Sequence, residues 1–111
     1  MKILMIGDIY GKTGRDCLQR LLPGLIERYR PDWIIANGEN VTAGNGLSQK
    51  HANFLRSCGI DIITTGNHVF SRSDWPEMLK SDYVLRPQNI VAADHGIGCR
   101  VFCKPGVGNL A

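Results

Sequence analysis

Residue types suited to metal binding and proton transfer occur where three short apolar runs of the chain end. In chain order, these residues are Asp8, Glu39, Asn40, Asn67 and His68. Carboxylate and amide oxygens together with imidazole nitrogen are ligands of Mn²⁺, Fe²⁺ and related ions. Two such ions about 3.5–4 Å apart can share a bridging carboxylate and a bridging hydroxide. The pattern predicts part of a two-metal site, provided that the three run ends meet in space.

Apolar runs alternate along the chain with segments of helical periodicity, which predicts how these residues are positioned. The expected elements are strand 2–7, helix 14–30, strand 32–37, helix 48–58, strand 61–65, helix 74–80 and strand 83–85. Strands separated by helices form parallel sheets through right-handed crossovers. Ligands of such sheets bind beyond the carboxyl ends of the strands. The predicted fold class is therefore α/β, a largely parallel sheet with flanking helices and a polar carboxyl edge.

Local signals add detail to these elements. Thr13 is the expected N-cap of the first helix, and the Pro23-Gly24 pair is expected to kink or split that helix. A last strand is expected at 98–103, followed by a turn at 104–106, and the chain looks as though it stops on the way into another strand.

Size, charge and apolar content exclude several classes of protein. The chain has 111 residues, which suits one domain spanning 1–111. The net charge of +3 is spread evenly, and without a basic run it predicts no DNA partner. No run approaches the roughly 20 apolar residues of a membrane helix, and Asp8 interrupts the one stretch that resembles a signal peptide. We therefore expect a cytoplasmic protein with no membrane contact.

The remaining histidines and the cysteines have ordinary structural explanations. His51 and His95 are expected to be surface residues, and the four cysteines are expected to be free and mostly buried, because they form no C-x-x-C motif. Among the candidate residues, Asp8 could also be a turn or capping residue and His68 a hydrogen-bonded structural histidine. Glu39 is harder to explain structurally, since glutamate is a poor turn former.

The segment Gly7–Thr13 offers a competing interpretation, because it resembles a phosphate-binding P-loop between a strand and a helix. Only three residues separate Gly7 from Gly11, whereas the P-loop pattern requires four for its amides to surround a phosphate. Asp8 would also bring a negative charge close to the phosphates. A degenerate P-loop nucleotide binder therefore remains a minor alternative, in which Lys12 or Arg15 would contact phosphate.

Four motifs at matching intervals resemble the YmdB-like branch of the calcineurin-like metallophosphoesterases. They are GDIYGKTGR at 7–15, NGEN at 37–40, TGNH at 65–68 and RPQN at 86–89. The resemblance covers essentially the whole chain. It implies the N-terminal half of a metallophosphoesterase αββα sandwich and a cytoplasmic bacterial phosphodiesterase. The implied substrates are 2′,3′-cyclic nucleotides, and the implied cofactor is a pair of divalent ions, iron or manganese before magnesium or zinc.

The resemblance also implies a role for each candidate residue. Asp8 and Asn40 would bind the first metal, and Asn67 would bind the second. Glu39 would bridge both metals where the wider superfamily commonly uses Asp. His68 would donate a proton to the leaving group, a role that typically contributes about 10²–10⁴-fold in rate.

Two departures from the family pattern lead to an expectation about activity. Tyr10 stands where the wider superfamily has a histidine ligand, and YmdB-like members also lack that histidine. The later histidine ligands of the family have no counterpart here, because His95 is the last histidine and its sequence context differs. We therefore expect a truncated domain with little or no activity of its own. A non-catalytic remnant that binds a nucleotide or a partner, or self-associates through an uncovered face, is the alternative.

Overall fold

The computed structural model describes residues 1–90 and 95–111, and it has the predicted alternation of strands and helices. The elements are β1 Ile3–Asp8, α1 Gly11–Tyr29, β2 Trp33–Asn37, α2 Gln49–Ser57, β3 Ile62–Thr64, α3 Trp75–Met78, β4 Val84–Leu85, β5 Phe102–Lys104 and β6 Gly108–Leu110.

The first four strands form one parallel sheet in the order β1-β2-β3-β4. Each crossover moves one strand further in the same direction, so right-handed connections place all three helices on one face. The core lies on that side, where buried residues of the sheet meet buried residues of α1 and α2. These include Ile34, Ala36, Ile63, Leu22 and Leu55. The predicted α/β class is confirmed.

The other face of the sheet is only partly covered. Ile3 and Met5 of the edge strand β1 are 42% and 66% exposed. Strands β5 and β6 form an antiparallel hairpin that meets the remaining part of this face, beside Ile35 and Ile62. An apolar surface therefore remains open around β1, as the sequence led us to expect.

Three local expectations require correction. Helix α1 begins at Gly11 with Tyr10 as N-cap, so Thr13 lies inside the first turn rather than capping it. The helix is also not split at Pro23 but continues through it, because the burial of Leu18 and Leu22 against the core offsets the lost backbone hydrogen bond. The last predicted strand is displaced from 98–103 to β5, and the turn after it closes the hairpin with β6.

The four cysteines are free, but the expectation that most are buried is wrong. Cys17, Cys99 and Cys103 are exposed, and only Cys58 is partly buried. Burial raises the pKa of the Cys58 thiol. In the described part of the chain, no helix has both the length and the apolar character that crossing a membrane requires.

One ion pair joins the hairpin to the sheet at the edge opposite the candidate site. The Lys104 ammonium donates to both carboxylate oxygens of Asp61 at 3.0 Å and to the Asp32 carbonyl at 2.8 Å. The Asp61 side chain is only 16% exposed, and it also accepts the backbone N–H of Ile34. The Lys104 ammonium lies 5.2 Å from the centre of the buried Trp33 ring. This contact links residues that are more than 40 positions apart.

Lys104→Ala should lower the free energy of unfolding by about 1–2 kcal/mol, because the half-buried carboxylate of Asp61 loses its main cation. Urea denaturation measures the change. Lys80→Ala is the matched control, since Lys80 pairs with Glu77 where both side chains are largely exposed. That control should change stability by less than about 0.5 kcal/mol. Equal effects of the two variants would contradict this assignment.

Candidate functional site

The ends of β1 and β2 bring the candidate residues Asp8 and Asn40 together. The parallel register of these strands shifts between Ile6 and Asp8, which pairs Asp8 with Asn37 at the carboxyl edge. Asn40 follows in the next turn and donates its side-chain amide to the Asp8 carboxylate at 2.8 Å. The Asn40 carbonyl accepts the backbone N–H of Gly11 at 2.9 Å, so the start of α1 holds this turn in place.

Glu39 lies in the same turn and has an unusual environment. Its backbone N–H donates to the Asn37 side chain at 3.0 Å, and its carbonyl accepts from Gly46 at 2.6 Å. Its Oε2 atom is buried and has no hydrogen-bond partner among the described residues. Burial of an unpaired carboxylate oxygen is costly unless a cation or a donor satisfies it. The position of Glu39 therefore fits a metal ligand.

Gly66, at the end of β3, makes the position of Glu39 possible. A Cβ atom built on Gly66 would overlap the Glu39 carboxylate, with Oε2 as the nearest atom. The backbone φ of Gly66 is not in the left-handed region, so the requirement for glycine here is one of space rather than of backbone conformation. The carboxylate thus occupies the volume that a side chain at Gly66 would fill.

Asn67 and His68 follow Gly66 in the turn after β3. Asn67 is exposed, and His68 is half-buried. The Nδ1 atom of His68 forms a hydrogen bond with the side-chain oxygen of Asn45, a residue of the loop between β2 and α2. Glu39 and Asn45 belong to that one loop, so it contacts both Gly66 and His68.

The loop between β2 and α2 is held by hydrogen bonds among three polar side chains, those of Thr42, Ser48 and His51. Thr42 is buried, accepts the backbone N–H of Ser48 at 2.9 Å and lies 2.8 Å from Nδ1 of His51. His51 was expected to be a surface residue, but it is half-buried. Burial is the main cause that lowers the pKa of His51. The charges of Arg15, Lys50 and Arg72 lower it further, whereas Asp74 opposes the shift.

The donor set is rich in oxygen but incomplete. Within residues 1–90 and 95–111, no group of three or more His, Cys, Asp or Glu side chains could hold a metal ion. The edge therefore offers the carboxylates of Asp8 and Glu39, supplemented by amide oxygens. Such donors suit hard divalent cations.

The P-loop alternative finds no support in the backbone. The amides of Ile9 and Gly11 donate to the Asn37 and Asn40 carbonyls, at 3.2 and 2.9 Å, and cannot also surround a phosphate. Lys12 pairs with Asp16, and Arg15 donates to the Val41 carbonyl. Both cations are thus engaged within the chain.

Three contributors to the site were missed by sequence reasoning, namely Asn45, the Thr42–His51 contact and the space requirement at Gly66. The Gly44-Asn45-Gly46 run is typical of a tight turn, and Gly44 and Gly46 adopt positive φ angles. That local signal explains the turn but does not show that Asn45 meets a residue 23 positions away.

Fold and site together define an α/β protein whose sheet presents carboxylate, amide and imidazole groups at its carboxyl edge. The family model described as "YmdB-like protein" matches residues 4–111. The chain therefore belongs to the YmdB-like family, as its motifs indicated.

Known relatives agree with this family. A Mycoplasma genitalium protein named as a candidate phosphatase/phosphodiesterase is 44% identical over 92 residues, which cover 82% of this chain and 33% of the relative. The 2′,3′-cyclic-nucleotide 2′-phosphodiesterase of Bacillus subtilis is 36% identical over 99 residues, which cover 88% of this chain and 38% of the relative. The crystal structure of a Mycoplasma pneumoniae phosphatase matches with a TM-score of 0.86 and 37% identity. The match covers 92% of this chain and 38% of the phosphatase chain. The relatives' names are those of phosphoester hydrolases, and the chain spans about a third of the length of the curated relatives.

Gly66→Ala should displace the Glu39 carboxylate and lower the free energy of unfolding by about 1–3 kcal/mol, because the new methyl group overlaps it. Thermal or urea unfolding measures this change. Gly24→Ala is the control: Gly24 lies in α1 with nothing near its added Cβ, so alanine should stabilise by about 0.5–1 kcal/mol. If the clash is with Glu39, the double variant Gly66→Ala/Glu39→Ala should be no less stable than Glu39→Ala. A purely additive double variant would contradict the clash.

The free energy of unfolding should depend on pH through His51. The folded-state pKa of His51 is below the usual value of 6.5. The stability that neutral His51 contributes is therefore fully present above pH 6.5 and is lost as pH falls through the folded-state pKa. Urea midpoints across this range, for the native chain and for His51→Gln, measure the effect. The native chain should lose stability relative to His51→Gln on acidification.

Proposed function

We propose that this chain provides the first part of the catalytic site of a metal-dependent phosphodiesterase that acts on 2′,3′-cyclic nucleotides. The substrate class rests on the name of the Bacillus subtilis relative. The observation that carries the proposal is the buried, unpaired Oε2 of Glu39, next to a glycine that leaves room for it. A divalent cation is the partner that would satisfy this oxygen.

The proposed roles follow the chemistry of the donors. Asp8 and Asn40 would bind one ion, Asn67 a second, and Glu39 both. Iron or manganese is proposed first, with magnesium or zinc as further possibilities for an oxygen-rich set. Bound cations would supply positive charge to the phosphoryl oxygens and acidify water for nucleophilic attack.

His68 would supply the proton that the leaving group needs. A ribose oxygen leaves poorly as an alkoxide, and an imidazolium within hydrogen-bond reach can protonate it as the P–O bond breaks. The turn that carries His68 begins at Gly66, beside the Glu39 carboxylate, which supports a common site for the proton donor and the cations.

Metal binding is the direct test of the site. Titration with Mn²⁺, followed by calorimetry or by the electron paramagnetic resonance of free Mn²⁺, should show binding that Glu39→Gln weakens about tenfold or more. Glu27→Gln is the matched control, since Glu27 is exposed on α1 and far from the edge. Equal affinities of the native chain and Glu39→Gln would contradict the proposed metal site.

The 111-residue chain itself should show little or no turnover of a 2′,3′-cyclic nucleotide, because Asp8, Glu39 and the neighbouring amides make an incomplete ligand set. A phosphodiesterase assay with added Mn²⁺ or Fe²⁺ tests this expectation. Robust turnover that Glu39→Gln abolishes would overturn the expected inactivity and would still support the site.

A second candidate function is a non-catalytic role in which the chain binds a partner or another copy of itself. The exposure of Ile3 and Met5 on the edge strand β1 favours it. Light scattering in solution distinguishes the cases: a concentration-dependent increase in mass that Met5→Lys abolishes supports self-association, and a monomer at all concentrations contradicts it.

A further inference from the structure

His68 has a specific partner outside the predicted set of site residues. Its Nδ1 atom forms a hydrogen bond with the side-chain oxygen of Asn45, which lies in the loop between β2 and α2. An imidazole nitrogen that donates to an oxygen acceptor carries a hydrogen, so this contact favours the tautomer of His68 with its hydrogen on Nδ1. In neutral His68, the other ring nitrogen, Nε2, then has a free lone pair.

The backbone holds Asn45 in position on both sides. Its N–H donates to the Thr42 carbonyl at 3.0 Å, and its own carbonyl accepts from Arg72 at 3.4 Å. The next residue, Gly46, has a φ of 88° and donates to the Glu39 carbonyl. Thr42 is in turn bound to His51. The loop thus presents the Asn45 amide from a fixed backbone.

Glycine at position 46 also matters for the contact with the His68 turn. A Cβ built there would lie 2.9 Å from side-chain carbons of Arg72 and 3.2 Å from the His68 carbonyl oxygen. The absence of a side chain lets this loop approach the backbone of the His68 turn closely. Asn45 therefore reaches the imidazole because its neighbour is small.

We propose that Asn45 is a positioning residue that fixes the ring orientation and the tautomer of His68. The effect of Asn45 on catalysis rests on the proposed function, whereas the hydrogen bond between Asn45 and His68 does not. In the imidazolium form, Nδ1–H stays bound to Asn45 while Nε2–H is the proton available for transfer. As the oxygen of a water-derived hydroxide bonds to phosphorus, the bond from phosphorus to the ribose oxygen breaks, and its electron pair goes to that oxygen, which takes the Nε2 proton. His68 is left neutral with its hydrogen on Nδ1, the tautomer that Asn45 stabilises.

The tautomer of His68 can be measured on the chain as it is, without metal or substrate. Long-range ¹H–¹⁵N correlation spectra at about pH 8.5, some two units above the usual imidazole pKa, report which ring nitrogen carries hydrogen. His68→Gln identifies the His68 signals. The native chain should show the Nδ1–H tautomer at His68, and the Nε2–H tautomer there would overturn the proposal.

Two variants at position 45 separate orientation from folding. Asn45→Ala removes the acceptor and should shift His68 to predominantly the Nε2–H tautomer. Asn45→Asp keeps an acceptor oxygen and should retain the Nδ1–H tautomer. The signals of His51, which is bound to Thr42 in the same loop, report whether that loop remains folded. An unchanged tautomer in Asn45→Ala with unchanged His51 signals would overturn the proposal.

This measurement distinguishes failure of the inference from failure of the proposed function. A chain that binds no Mn²⁺ contradicts the proposed phosphodiesterase site, whereas the tautomer of His68 still decides the role of Asn45. Where turnover is measurable, Asn45→Ala should lower kcat about tenfold or more with little change in KM, and Asn45→Asp should restore most of it. A rise in KM alone would contradict positioning of the proton donor.

Discussion

The buried Oε2 atom of Glu39 is the constraint on which the candidate site depends. Its Oε2 has no hydrogen-bond partner in the described part of the chain, although burial of such an oxygen costs free energy. The surroundings are nevertheless arranged to keep it there: Asn37 and Gly46 hold its backbone, and Gly66 leaves the space that it fills. A fold selected only for stability would place a donor or an apolar side chain at this point. The cation of the proposed function is a partner that would satisfy this oxygen.

Sheet topology determines why these groups meet. Because β1, β2 and β3 are adjacent and parallel, their carboxyl ends lie side by side, and the segments that follow them share one edge. The same consecutive order places the helices on one face and leaves Ile3 and Met5 open on the other. The candidate site thus has few metal ligands, and one face of the sheet is partly uncovered. Both features occur in a chain that spans about a third of the length of its curated relatives.

Short-range patterns predicted most of the fold, and long-range contacts account for what they missed. The four parallel strands follow from apolar runs, and the carboxyl-edge positions of Asp8 and Glu39 follow from parallel topology. The predictions of an N-cap at Thr13 and of a helix break at Pro23 were wrong because tertiary contacts override these local preferences. Asn40 holds the start of α1, and the core holds its middle. Asn45 could not be recognised, since its meeting with His68 depends on how two loops fold against each other.

The choice of an amide at position 45 has a physical consequence of its own. The proposed site already contains the carboxylates of Asp8 and Glu39, and the proposed phosphodiester substrate would add another negative charge. A carboxylate at Asn45 would orient the imidazole equally well, but it would repel the substrate and compete for the same cations. An amide oxygen accepts the Nδ1 hydrogen without adding charge. An amide at position 45 would therefore orient His68 without weakening the attraction of an anionic substrate.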